Sequence, residues 1–152
     1  MNQLQFEEMS QAVANILLAE VAIESEGRCA LLIQGIDVLV DLGEDDALQC
    51  YVDLGTPSPA DRNTVCEQLL KLNLLGSATE HGSFAFEPET ARAVFCERLP
   101  DAGGLEAEEL AAMLRKLVDY TSDARQMVAN PAFSAQQHAD STNSIFFLSA
   151  LA

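Results

Sequence analysis

The sequence predicts an α+β protein of order α-β-β-β-α-β-β-α, a twisted antiparallel sheet with its helices mainly on one face. Three observations lead there. Apolar residues recur at threes and fours toward both ends of the stretch 4–129, they alternate between Arg28 and Leu54, and a helix with its own start and stop signals follows at Ser58. Residues 1–130 form one domain, and residues 131–152 read as a flexible tail.

The first helix covers residues 4–20, where Leu4, Phe6, Met9, Val13, Ile16, Leu17 and Leu18 are separated by Glu7, Glu8, Gln11 and Asn15. Ser25-Glu26-Gly27 breaks that pattern. Three strands then follow as a meander. Cys29, Leu31 and Ile33 alternate with Ala30, Leu32 and Gln34; Ile36, Val38, Val40 and Leu42 with Asp37, Leu39 and Asp41; and Leu48, Cys50, Val52 and Leu54 with Gln49, Tyr51 and Asp53. The second and third have one apolar and one largely acidic face. The first is apolar on both, which predicts a covered or central strand.

The second helix runs from Ser58 to Gly76. Ser58 can accept the backbone N–H of Asp61, Pro59 fits the first helical position, and Gly76 permits the left-handed closing turn. Val65, Cys66, Leu69, Leu70, Leu72 and Leu74 are more apolar side chains than one narrow stripe needs, so this helix requires partners on more than one side. Ser83 to Glu87 and Ala91 to Arg98 read as two further strands, and Leu105 to Ala129 as a long helix stopped by Asn130-Pro131. The polar tail carries a single apolar cluster, Ile145-Phe146-Phe147-Leu148.

Composition narrows the function. With 8 Lys plus Arg against 24 Asp plus Glu, the formal charge of -16 would repel phosphate backbones and anionic lipid surfaces, so neither nucleic acid nor membrane is an expected partner. The first residues lack the basic flank and apolar run of a signal peptide, and a cytoplasmic protein is expected. Cys29, Cys50, Cys66 and Cys96 stand singly in apolar segments and read as packing residues.

No catalytic constellation emerges. His81 lies in a polar turn and His138 in the tail, so neither is positioned as a base for a cysteine nucleophile. Glu44-Asp45-Asp46 lacks the spacing of a calcium loop, and no phosphate-binding glycine motif is present. The expectation is a binding protein without catalytic residues, metal or cofactor. A small cysteine hydrolase stands as the enzymatic alternative.

Several strings resemble a known family. Glu26-Gly27-Arg28-Cys29-Ala30-Leu31-Leu32-Ile33, Ile36-Asp37-Val38-Leu39-Val40, Leu48-Gln49-Cys50-Tyr51-Val52-Asp53-Leu54-Gly55, the leucine pair and Asn of Leu69-Leu70-Lys71-Leu72-Asn73, and Phe84-Ala85-Phe86-Glu87-Pro88-Glu89-Thr90 are similar to the class I type III secretion chaperones, the Tir chaperone family. The resemblance spans about residues 4–129. It implies a cytoplasmic homodimer of a Gram-negative bacterium that binds the N-terminal region of a secreted effector and presents it to the secretion machinery, with the secretion ATPase as a further candidate partner. It assigns Val65, Leu69, Leu70 and Leu72 to the dimer interface, and Phe6, Met9, Val13, Ala30, Leu32 and Leu39 to effector contact. A regulatory adapter of the same fold, binding a folded regulator, is the alternative. Two departures stand out: the tail to Ala152 exceeds the family's usual length, and the loop Val21-Ala22-Ile23 lacks the glycine often found after the first helix.

Overall fold

The computed structural model describes residues 1–25, 27–43, 46–75, 82–100 and 102–132. The Glu44-Asp45 turn, Gly76, His81 and the tail from residue 133, with its Ile145–Leu148 cluster, lie outside the described residues. Helix α1 spans Gln3–Leu17 and is followed by strands β1 (Glu20–Ser25), β2 (Arg28–Ile33), β3 (Ile36–Leu42) and β4 (Leu48–Gly55). Helix α2 (Arg62–Leu75), strands β5 (Gly82–Phe86) and β6 (Ala93–Leu99), and helices α3 (Ala107–Tyr120) and α4 (Ser122–Ala129) complete the order. The six strands form one antiparallel sheet in the order β1-β2-β3-β4-β6-β5.

The α+β class and the three-strand meander agree with the sequence, but the sheet holds a strand more than expected. Val21-Ala22-Ile23 is not a loop: it belongs to β1, which pairs along β2 with Val21 opposite Leu31 and Ala22 opposite Ala30. The helix before it stops without glycine because Leu18 takes the left-handed conformation itself, at φ 52° and ψ 38°. Ala19 N–H then donates to Ala14 O at 2.9 Å, the closing bond of a left-handed helix terminus. The N-terminus is equally well defined, since Asn2 accepts from Gln5 N–H while the Gln5 side chain accepts from Asn2 N–H, each at 2.9 Å.

The core lies on one face of the sheet. Cys29, Leu31 and Ile33 of β2, Val38 and Val40 of β3, Leu48, Cys50, Val52 and Leu54 of β4, and Ala93, Phe95 and Leu99 of β6 are all buried, together with Phe6 and Val13 of α1 and Leu110, Leu114, Leu117 and Val118 of α3. Phe84 and Phe95 face each other across β5 and β6 with ring centroids 4.9 Å apart, and Tyr120 stands edge-on to Phe95 at 5.3 Å. Glu97 is the polar intruder on this face. It is buried opposite Cys50, and its Oε2 has no hydrogen-bond partner among the described residues. Burial, with the Glu97 carboxylate beside it, pushes the Cys50 thiol up to about 12, so Cys50 stays a neutral packing group.

The long C-terminal helix expected over 105–129 is broken in two. Thr121 is completely buried and its hydroxyl donates back to Leu117 O at 2.8 Å, a bond that competes with regular helix geometry. Arg125 spans the break, donating to Thr121 Oγ1 and, at 2.9 Å, to Val118 O. The second helix also starts later than expected. Ser58 Oγ accepts from Asp61 N–H at 3.2 Å as anticipated, but the residues up to Asp61 form a turn and α2 begins at Arg62.

Leu18 offers a direct test of the helix terminus. Its side chain is 94% exposed, so it loses no packing when removed, whereas a left-handed L-residue costs about 1–2 kcal/mol. Leu18→Gly is therefore expected to stabilise the fold by about 1 kcal/mol once the greater freedom of glycine in the unfolded chain is counted, read as a raised urea midpoint of unfolding. A lowered midpoint would show that Leu18 is held by something other than this turn.

Candidate functional site

Because the helices cover one face, every second strand residue is left on the other. The register aligns them into a row across all six strands: Ala22, Ala30, Leu39, Tyr51, Cys96 and Ser83. A second row places Asp53, Val94 and Ala85 side by side, and a third places Arg28, Asp41, Gln49 and Arg98. Ala30, Leu39, Tyr51, Val94 and Cys96 are half-buried and line an open groove of about 700 Å³, whose rim includes Asp37, Asp53, Glu87, Arg28 and Arg92.

The electrostatics of the groove are set by pairs. Arg28 donates to both carboxylate oxygens of Asp41, at 2.7 and 2.6 Å, and Arg92 reaches Asp53 at 3.0 Å. Both rim arginines are thus engaged by carboxylates, while Asp37 and Glu87 add further negative charge to the rim. Burial, reinforced by Asp41, pushes the Tyr51 phenol up, and burial raises the Cys96 thiol, so both remain neutral. The groove is an apolar floor with an acidic border. Among the described residues no group of three or more His, Cys, Asp or Glu could hold a metal ion.

The residues expected at effector contact divide. Ala30, Leu32 and Leu39 lie on the outward face, with Leu32 37% exposed. Met9 is half-buried against the core, whereas Phe6 and Val13 are wholly inside it and present no surface in this chain. The helix-two residues divide in the same way. Val65 and Leu69 are core residues, Leu72 packs partly against the core, and Leu70 is 61% exposed. Leu74 and Leu75, at 85% and 81%, extend that exposed apolar ridge and were not singled out for the interface from the sequence, though Leu74 belonged to its apolar surplus. Tyr51, Val94 and Cys96 were also missed as groove residues, although the alternation of β4 already placed Tyr51 opposite the buried face.

The Leu-Leu-x-x-Asn string has a structural purpose. Phe84 N–H donates to Asn73 Oδ1 at 2.8 Å, and Asn73 Nδ2 donates to Phe84 O at 3.0 Å. The side-chain amide thus occupies backbone groups of edge strand β5 and fastens α2 beside it. Leu69, at the head of the string, is buried on the inner side of the same helix.

The model of the Tir chaperone protein (CesT) family matches residues 10–125, which include the whole sheet and its groove. The chain belongs to that family. This places it with chaperones concerned with type III secretion and effector binding, not with enzymes. Solved structures share the fold at low identity. The ExsC–ExsE complex contains a chain with a TM-score of 0.60 at 16% identity, covering 84% of this chain and 97% of that one. The HopA1–SchA chaperone–effector complex gives 0.59 at 11%, covering 82% and 95%. The Yersinia pestis type III secretion chaperone SycH, in complex with a stable fragment of YscM2, gives 0.53 at 17%, covering 75% and 94%. Among curated proteins no sequence matches.

The groove end near Glu87 is pH-sensitive. The Thr90 hydroxyl, then the Glu89 N–H at 3.0 Å and the Thr90 N–H at 2.6 Å, all donate to the Glu87 carboxylate and hold it below its ordinary value. A depressed carboxylate supports the turn above its unfolded value and releases it as pH falls through the lower folded one. The Thr90 amide resonance is accordingly expected to titrate with a midpoint below the ordinary glutamate range. A midpoint at that ordinary value would mean the three bonds do not persist in solution.

Proposed function

We propose that the chain is a type III secretion chaperone that holds the N-terminal segment of a cognate effector on the outward face of its sheet and delivers it to the secretion machinery. The observation that carries this reading is the apolar row Ala30, Leu39, Tyr51 and Cys96, uncovered by the chain's described elements and bordered by carboxylates, in a member of a chaperone family. An extended or helical segment with apolar side chains and basic flanks fits that surface. Binding proceeds by mass action with no covalent step, and it shields the segment's own apolar surface from aggregation. Leu32 and Leu39 make direct contact, while Met9, Phe6 and Val13 lie on α1 at the opposite face of the sheet and act only through the packing of that helix. Two of the solved complexes that share this fold support the reading: SycH is described as a type III secretion chaperone in complex with a fragment of YscM2, and HopA1–SchA as a chaperone–effector complex.

The active unit is a cytoplasmic homodimer in a Gram-negative bacterium, joined through α2. Leu70, Leu74 and Leu75 leave an apolar ridge too exposed to be favourable in an isolated copy, and Leu72 and Val65 brace it from the protomer's side. The secretion ATPase is the partner to which the loaded dimer is delivered.

The deciding experiment is co-purification from the native cytoplasm, followed by limited proteolysis of the recovered partner with and without the chain. Protection of an unfolded N-terminal segment supports the chaperone; binding of a folded regulator with no such protection replaces it by a regulatory adapter. Leu39→Asp is expected to weaken binding at least tenfold, the cost of placing a charge in a desolvated contact, while stability changes by no more than about 0.5 kcal/mol because the site lies outside the core. Calorimetric titration and urea unfolding of the same variant separate the two effects. Leu70→Asp is expected to yield folded monomers by light scattering, whereas the core position Leu69 would report on protomer folding instead. An unchanged dimer in Leu70→Asp would place the interface elsewhere.

A further inference from the structure

The outward face carries its apolar residues as a band. Ala30, Leu39, Tyr51 and Cys96 sit side by side across β2, β3, β4 and β6, three strand spacings or about 14 Å. Along the strands the band is narrow, because the next outward residues are Asp37 and Asp41 on β3 and Gln49 and Asp53 on β4, about 7 Å to either side. It widens only toward its ends, where Leu32 and Val94 follow Ala30 and Cys96. An occupant that fills the band therefore runs across the strands.

Backbone chemistry decides the conformation of that occupant. An extended segment laid there crosses side chains and not a sheet edge, so its N–H and C=O groups meet an apolar floor and find no ladder partners. A helix satisfies its own backbone, and its apolar side chains at i, i+4 and i+7 span about 10 Å, which fits the band.

Charge decides the flank. Among the carboxylates that border the band, Asp41 is held by Arg28, Asp53 by Arg92, and Glu87 by the amide and hydroxyl donors of its own turn. Asp37 is exposed on the groove rim and has neither an ion pair nor a hydrogen bond among the described residues. A second copy of this chain, at a net charge of -16, is repelled by such a border, whereas a Lys or Arg of another protein finds a carboxylate still open to pairing.

We propose that the outward face receives an amphipathic helix of the secreted partner, laid across the strands, and that Asp37 selects it by pairing with a Lys or Arg on the flank of its apolar stripe. The inference rests on the reading of this groove as the partner-binding surface, and it adds the bound conformation and the residue that sets specificity.

The test uses the full-length chain and stapled helical peptides with leucine at i, i+4 and i+7 and either lysine or glutamate along one flank, together with a proline-interrupted lysine peptide that cannot form the helix. Fluorescence anisotropy is expected to show the lysine helix binding about tenfold more tightly than the glutamate helix or the proline peptide. Asp37→Lys is expected to reverse the charge preference and Leu39→Asp to remove binding of the helix, while the same charge change at an exposed residue of α3, Glu108→Lys, leaves the preference in place. No binding by the lysine helix, equal binding by the proline peptide, or a preference that Asp37→Lys and Glu108→Lys alter alike would each overturn the proposal. A dimer that Leu39→Asp dissociates in light scattering would give the groove to a second copy and overturn it as well. In a separate arm the partner's own N-terminal segment, recovered by co-purification, is titrated against the same variants. Binding that ignores Leu39→Asp would remove the groove from partner binding and with it the reading on which the proposal rests, whereas binding that needs Leu39 but ignores Asp37→Lys would leave that reading intact and overturn the role of Asp37.

Discussion

A strand sends neighbouring side chains to opposite faces, and here the helices satisfy only one of those faces. Everything else in the molecule follows from that constraint. Val38, Val40, Cys50, Val52 and Phe95 must point inward to build the core, so Leu39, Tyr51 and Cys96 must point outward, with no freedom to change one set without the other. The groove is therefore not an ornament added to a finished fold. It is the obligatory reverse side of the core, and a register slip of one residue that spoiled one would invert both.

The same logic explains what could be read from the sequence. The alternation of β2, β3 and β4 was visible because acidic residues mark the outward positions of β3 and β4, and Ala30, Leu32 and Leu39 stood out as exceptions to that pattern. Strand β1 escaped notice because the helical spacing ran up to Glu20 and no glycine marked the end; Leu18 absorbs the turn by adopting a conformation its side chain disfavours. The break at Thr121 escaped because threonine at that position matches the apolar side of a helix, and only its hydroxyl bond to Leu117 O reveals otherwise. Val94 and Cys96 became groove residues only when β6, and not β5, was seen to lie beside β4, a choice of neighbour that local pattern does not encode.

Burial divides the residues that helical spacing had grouped together. On α1, Phe6 and Val13 go to the core and Met9 to its margin; on α2, Val65 and Leu69 go inside while Leu70, Leu74 and Leu75 remain outside. A surplus of leucines announces that a helix has two audiences, but the phase of the helix against the sheet decides which leucine serves which. That phase is fixed here by Asn73, whose amide bonds to the Phe84 backbone set the rotation of α2 about its own axis.

Asn73 has another effect on how copies of this protein can associate. A sheet grows without limit only when it has two free edges, one to give and one to receive. By occupying the backbone of Phe84 the asparagine blunts β5, which among the described strands leaves β1 as the edge where another strand can be added. Pairing through a single open edge ends after one addition. A chain that carries an apolar outward sheet face is in this way built so that edge-to-edge pairing of its described strands terminates instead of propagating into a fibre.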